Sequence, residues 1–260
     1  MECCGVPTFE NSSRISSMPQ YRDEGIVLRT QRLGEADRIV TVLTRNNGRV
    51  RAVAKGVRKT TSRFGARVEP FGHIDAHFHI GKSLDILSQV ESLYSYGATL
   101  SQDYAKWTAG QAMLETTERL TPEEKEPATQ QYLLLIAALR SLVKSEHDPD
   151  LILDSYLLRS LSIAGYSPSF FECARCDKPG PHKNFSVATG GAVCDECKPS
   201  GSVTPSQETF DLMSALLIGD WGVADASDVK SRRQASGIIA AYLQWHIERG
   251  IRSLRMVERK

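Results

Sequence analysis

From Tyr21 to about Ser95, apolar and polar residues alternate in short runs broken by glycine, asparagine and proline, which is the period of half-buried strands. Five strands are predicted, over Glu24–Gln31, Arg38–Thr44, Arg49–Val57, Val68–Ile80 and Leu84–Leu93. Asn46-Asn47-Gly48 supplies a turn between the second and third, because Asn and Gly tolerate positive φ. The fourth alternates most cleanly, with Ile74, Ala76, Phe78 and Ile80 on one side and His73, Asp75, His77 and His79 on the other. No helical stretch long enough for a crossover interrupts the strands, so a small closed barrel is expected.

After Gly97 the period becomes helical. The pattern predicts a helix over Gln102–Leu120, then a start signal at Thr121-Pro122-Glu123-Glu124, with proline in the first helical position and Glu three residues after the Thr. Thr129–Lys144 carries apolar residues around much of its circumference (Leu133, Ile136, Leu139, Leu142, Val143), which makes it the expected buried centre of a bundle. Asp150–Ala164 follows and ends at Gly165. Helix resumes after a second start signal, Thr204-Pro205-Ser206-Gln207, and runs to about Ile218. In the last helix, about Asp228–Glu248, Ile238, Tyr242 and Trp245 repeat at helical spacing beside Ile239, Leu243 and His246, the signature of a core stripe. The expected fold is therefore α+β and multidomain. A loose leader (1–20) precedes a five-stranded oligonucleotide-binding (OB) barrel (21–96), and a helical domain (97–170 and 201–260) receives an inserted module (171–200).

Charge changes the picture locally. The 260 residues include 32 Lys and Arg against 31 Asp and Glu, a net of +1. Yet Arg45–Arg67 holds eight basic residues and no acidic one. In the third strand Arg49, Arg51 and Lys55 share one face, while Val50, Ala52 and Ala54 share the other. The polar, glycine-flanked segment after it adds Arg58, Lys59, Arg63 and Arg67. Charge runs are often only solvated surface, but this one has the form of a track for a polynucleotide backbone. Phe64 and Phe71 are candidates to stack on bases, with core packing the expected role of Phe71. The basic carboxyl end (Arg249, Arg252, Arg255, Arg259, Lys260) would extend the same surface. No apolar run approaches the ~18 residues that cross a bilayer, and the amino terminus lacks a signal-peptide pattern, so a cytoplasmic protein without membrane contact is expected.

The cysteines come in close pairs. Cys173-x-x-Cys176 and Cys194-x-x-Cys197 are separated by 17 residues, the spacing of a four-cysteine zinc site. Each pair places two sulfurs on one tight turn, and Gly190-Gly191 lets the backbone turn sharply before the second. Four thiolates leave no open position for substrate, so one structural zinc ion is expected, and a redox pair lacks its βαβ context. Arg175, Lys178, His182, Lys183 and Lys198 either touch phosphate or merely solvate the module; the pattern does not choose. Cys3 and Cys4 fall in the leader.

No catalytic residue emerges. His73, Asp75, His77 and His79 stand ~7 Å apart along a strand, too far to share one ion. Gly81-Lys82-Ser83 lacks the preceding glycine of a phosphate loop, since position 76 is Ala76, and it opens a strand. Glu24, Glu35, Asp37 and Glu91 are too scattered for a nuclease magnesium site.

The order of these features resembles the RecO family of bacterial recombination mediators. The likeness is carried by Leu33-Gly34-Glu35-Ala36-Asp37-Arg38-Ile39-Val40, Gly48-Arg49-Val50, Ala54-Lys55-Gly56-Val57-Arg58-Lys59, Ser62-Arg63-Phe64 and Glu69-Pro70-Phe71. Glu91, Phe185-Ser186 and Gly190-Gly191-Ala192-Val193-Cys194 continue it. The resemblance implies a non-enzymatic, nucleoid-associated protein that binds single- and double-stranded DNA and anneals complementary strands. It also implies help in loading the recombinase RecA onto strands coated by single-strand-binding protein, contact with that protein's acidic tail, and action with RecR. With all four cysteines, the chain resembles the zinc-bearing branch. An RNA-binding or translation-associated barrel protein is the alternative, and a scaffold charged only for solubility is a further one.

Overall fold

The computed structural model describes residues 19–59, 62, 64–247 and 250–258. Five strands, β1 (Gln20–Leu33), β2 (Asp37–Thr44), β3 (Gly48–Ala54), β4 (Gly72–His79) and β5 (Asp85–Ser95), close a barrel in the order β1-β2-β3-β5-β4, with β3 parallel to β5 and the other pairs antiparallel. This is the predicted OB architecture. β3 and β4 are shorter than the pattern suggested: the chain turns after Ala54, and Gly65–Val68 form a 3-10 turn before β4.

The barrel interior is filled by Val40, Val42, Val50, Ala52, Ala54, Val68, Ile74, Ala76, Phe78 and Leu87. Phe64 joins them at 6% exposure, so it has no face to offer a base, and Phe71 is fully buried where barrel meets helices. On β4, His73 is buried, with Nε2 3.0 Å from the Tyr132 hydroxyl, and burial pushes its pKa down. Asp75 instead accepts two hydrogen bonds from Arg22, at 2.9 and 2.7 Å.

β1 is buried on both faces. A register shift between Val27 and Arg29 lets Ile26, Val27 and Leu28 all be buried, Val27 in the barrel and Ile26 and Leu28 in the helical core. That core is built from α1 (Tyr96–Leu100), α2 (Tyr104–Leu120), α3 (Thr129–Lys144), α4 (Pro149–Ile163), α5 (Gln207–Ile218), α6 (Trp221–Asp225) and α7 (Val229–His246). The bundle's buried centre is α4, not α3. Leu151–Leu158 are all buried on α4, whereas α3 leaves Leu133 51% exposed. On α7, Ile238, Ile239, Tyr242 and Leu243 form the expected stripe, but Trp245 lies outside it at 62% exposure. No helix among the described residues is long and apolar enough to cross a membrane.

Thr121-Pro122 starts no helix. Thr121 caps the end of α2, its hydroxyl donating to the Thr117 carbonyl at 2.8 Å, and residues 121–128 cross back as an extended strap over β3. The second start signal is shifted too: Ser206 rather than Thr204 caps α5. The strap lies so close to the β2–β3 turn that a Cβ on Gly48 would sit 1.7 Å from the Glu126 carbonyl oxygen, and Gly48 has φ +62°. Gly48→Ala is therefore expected to cost about 3 kcal/mol or more, because strain and overlap act together. Urea denaturation checks this through the transition midpoint; an unchanged midpoint would contradict the close approach.

Candidate nucleic-acid interface and metal centre

The basic stretch is held by two neighbours that its own sequence does not reveal. The first is the β1–β2 turn. The Gly56 amide donates to the Asp37 carboxylate at 2.7 Å, and the Arg58 amide donates to the Ala36 carbonyl at 3.0 Å. The Arg58 guanidinium donates to the Glu35 carbonyl at 2.7 Å. These bonds fasten the loop after β3 against residues 34–37, leaving Lys55, Arg58 and Lys59 exposed. No carboxylate among the described residues pairs with these three side chains. Arg67 is exposed on the 3-10 turn, and Arg63 lies outside the described residues.

The second neighbour is the strap. Arg49 and Arg51 do lie on the face of β3 opposite the barrel core, as alternation predicts, but they are not free cations. The Arg49 guanidinium donates to the Pro122 carbonyl, and the Lys125 amide donates to the Arg49 carbonyl at 2.9 Å. Arg51 pairs with Glu124 at 3.3 Å. The expected continuous row along β3 is thus divided: its first two members face the strap, and the exposed cations begin at Lys55. Sequence periodicity sets the face of a strand, not what later covers it.

One buried charge anchors the strap. Asp85 is 1% exposed, and it accepts from the Lys125 ammonium at 2.9 Å, the Tyr21 hydroxyl at 2.7 Å and the Gly81 amide at 3.1 Å. Burial first, and then the Asp85 carboxylate beside it, push the Tyr21 hydroxyl pKa well up, so it stays a donor. Gly81-Lys82-Ser83 thus closes a strand junction over Asp85 rather than a phosphate site.

The inserted module places the two cysteine pairs together. A hairpin of β6 (Asn184–Ser186) and β7 (Gly191–Val193) carries Cys194 at its end. Gly191 passes Ser169 so closely that a Cβ would lie 2.3 Å from its carbonyl oxygen, which is why the turn before the second pair needs glycine. The sulfurs of Cys173, Cys176, Cys194 and Cys197 all lie within 4.8 Å of one another. Cys176 and Cys194 are 3.9 Å apart. Sulfurs ~2.3 Å from a tetrahedral centre are ~3.8 Å apart, so the cluster fits one four-sulfur metal centre. The Cys194 amide donates to the Cys173 sulfur at 3.4 Å and holds that thiol down to about 6. Cys197, hydrogen-bonded to the Cys194 and Cys176 sulfurs, is pushed up to about 12. Among the described residues no other His, Cys, Asp or Glu cluster has this form. Cys3 and Cys4 lie outside them.

The carboxyl end is also anchored. Glu115 on α2 accepts from the Arg252 and Ser253 amides at 3.0 and 2.8 Å and from the Ser253 hydroxyl at 2.6 Å. Burial alone would raise this carboxyl, but the Ser253 and Arg252 donors outweigh it and hold it below the usual range.

The strap contacts differ in weight. Breaking the half-exposed Arg51–Glu124 pair with Glu124→Gln should cost no more than about 1 kcal/mol. Lys125→Met removes the only cation among the described residues that pairs with the buried Asp85 and should cost about 1–3 kcal/mol, since Lys125 itself is partly solvated. Equal costs for the two in thermal or chemical denaturation would refute Asp85 as the anchor.

Residues 18–96 match the protein family described as Recombination protein O N terminal, and residues 101–255 match Recombination protein O C terminal. The chain is 61% identical over 242 residues to the DNA repair protein RecO of Thermobifida fusca, covering 93% of this chain and 100% of that one. It is 56% identical over 248 residues to the DNA repair protein RecO of Streptomyces griseus, covering 93% and 100%. It is 54% identical over 242 residues to that of a Nocardioides species, covering 92% and 99%.

Proposed function

Because the chain belongs to the RecO family and so acts in DNA repair and recombination, we propose that it is a DNA-binding mediator that anneals complementary single strands and helps load RecA onto strands coated by single-strand-binding protein, together with RecR. The observation that carries this reading is the exposed loop Lys55–Lys59, held out from a closed OB barrel with no carboxylate partner among the described residues. Cations in that setting neutralise phosphates and release counterions, which favours binding to single and duplex strands with little sequence preference. Annealing then requires no bond to be made or broken by the protein: lowering the repulsion between two polyanions brings them within pairing distance. No nucleotide hydrolysis enters, and the protein acts as a binding surface rather than a catalyst.

Support for zinc as the metal comes from the donor set. Four thiolates in a tetrahedral arrangement suit a soft, redox-inert ion, and a fully occupied shell makes the role structural. Phe185, buried beside Phe210 and Tyr242, ties the module to the helical core, so metal at the cysteines would stabilise the helical domain as well.

Two outcomes test the proposal. Replacing Lys55, Arg58 and Lys59 together with Ala should weaken binding to unrelated oligonucleotides alike and lower the slope of log affinity against log salt by about 2, at ~0.7 per lost phosphate contact on single strands. Fluorescence anisotropy over a salt series measures this, with an RNA competitor showing whether DNA is preferred; a loss confined to one sequence would refute backbone recognition. Cys176→Ser should lose bound zinc by elemental analysis and lower the melting temperature of the helical domain; unchanged zinc content would refute the site.

A further inference from the structure

Three open cavities on the helical side meet at Arg119. One of about 700 Å³ is lined by Arg119, Arg252 and Arg255 and has no acidic wall among the described residues. A second, of about 660 Å³, runs from Arg119 past Pro122 to Tyr166 and His246, again with no acidic residue among the described ones. A third, of about 570 Å³, leads the other way from Arg119 and Arg252 to Arg29 on β1. Its two carboxylates are committed: Glu115 holds the tail amides, and Glu118 pairs with Arg29 at 2.9 Å. Arg252 and Arg255 are exposed, and neither side chain has a carboxylate partner among the described residues. The tail's backbone is fixed by Glu115, so these guanidinium groups are presented in place rather than on a loose end.

The second cavity adds an aromatic wall. Tyr166 is 43% exposed and stacks on His246 with ring centroids 4.5 Å apart and planes 26° apart. Burial pushes the His246 pKa down, so near neutral pH the pair is an uncharged stacked surface. Guanidinium groups alone would suit any polyanion, including an acidic peptide. Guanidinium groups leading to a half-exposed tyrosine suit single-stranded nucleic acid, in which phosphates need cations and unpaired bases need flat faces.

We infer that this trough is a second single-strand track, with Arg252 and Arg255 meeting phosphates, Arg119 between the cavities held toward Glu115 at 3.9 Å, and Tyr166 stacking a base. It rests on the reading of the protein as a DNA-annealing mediator and supplies what that reading lacks, a place for the other strand. The trough reaches Pro122, whose carbonyl accepts from Arg49 on β3, so it borders the strap that also lies against the basic strand of the barrel. Two strands held on either side of the strap would lie on one chain.

The test uses the full chain, a short fluorescent oligothymidylate and a complementary oligonucleotide pair. The double variant R252Q/R255Q alters side chains that make no ion pair among the described residues and leaves the Glu115–amide bonds, so it should fold; circular dichroism checks this. Saturation of the wild type should need about two strands per chain, the double variant about one, and annealing should slow about tenfold. Tyr166→Ala should slow annealing in the same direction, and ultraviolet crosslinking of the wild type should give adducts on peptides containing Tyr166 or residues 250–258. Unchanged stoichiometry and annealing in R252Q/R255Q, with adducts confined to the barrel, would overturn the inference alone. Loss of binding to a polyglutamate probe in R252Q/R255Q, with its DNA binding and stoichiometry intact, would overturn it in favour of an acidic protein partner. A wild-type protein that binds no oligonucleotide would overturn both the inference and the reading beneath it.

Discussion

A carboxylate enclosed in the barrel wall sets the arrangement of the whole molecule. Asp85 is desolvated and would be costly unpaired, so it requires the Lys125 ammonium, and Lys125 belongs to the segment that links α2 to α3. To reach it, Lys125 adopts φ +63°, a conformation that costs a non-glycine residue on the order of 1 kcal/mol and persists only where neighbours enforce it. Those neighbours are the Arg49 carbonyl, the Gly48 turn and the Arg45 carbonyl, which accepts from Thr129 at 2.9 Å. One ion pair and a few backbone contacts thus orient the helical part on the barrel.

The same junction is closed from the other side by apolar burial. Ile26, Leu28, Leu43 and Phe71 belong to the core made by α2, α3 and α4, and Phe170, Phe185 and Ala192 bring the cysteine module into it. Barrel exterior, bundle and module therefore share one desolvated interior. An ion held by the four sulfurs would act on that interior through Phe185, which links the module's local chemistry to the stability of its neighbours.

On a chain with net charge of +1, function depends on which charges are left uncompensated. Arg22, Arg29, Arg38, Arg45 and Arg51 each meet a carboxylate and serve mainly to join elements. Lys55, Arg58 and Lys59 at one place, and Arg252 and Arg255 at another, meet none among the described residues. The proposed phosphate binding would draw on the second class, because a paired arginine must first give up its partner.

Local pattern was enough for much of this. Strand alternation disclosed the barrel, and the four cysteines disclosed their own site, because two tight turns and a glycine pair leave sulfurs few other places to go. Residues 33–40 and 48–59 pointed to the family, and their packing shows why they belong together: Asp37 receives the Gly56 amide, and the Glu35 carbonyl receives Arg58. What the chain order could not disclose is what covers a face once it has formed. Thr121-Pro122-Glu123-Glu124 has the composition of a helix start, yet Asp85, 36 or more residues earlier, draws the segment out as a strap. Arg49 and Arg51 sit on the side that alternation assigns them, but only the folded molecule lays Pro122 and Glu124 against them. Phe64 lies in a basic loop and turns into the barrel, while Trp245, in apparent register with a core stripe, turns out. Periodicity reports the geometry of one element; pairing and burial depend on residues far away in the chain, and only tertiary structure brings those together.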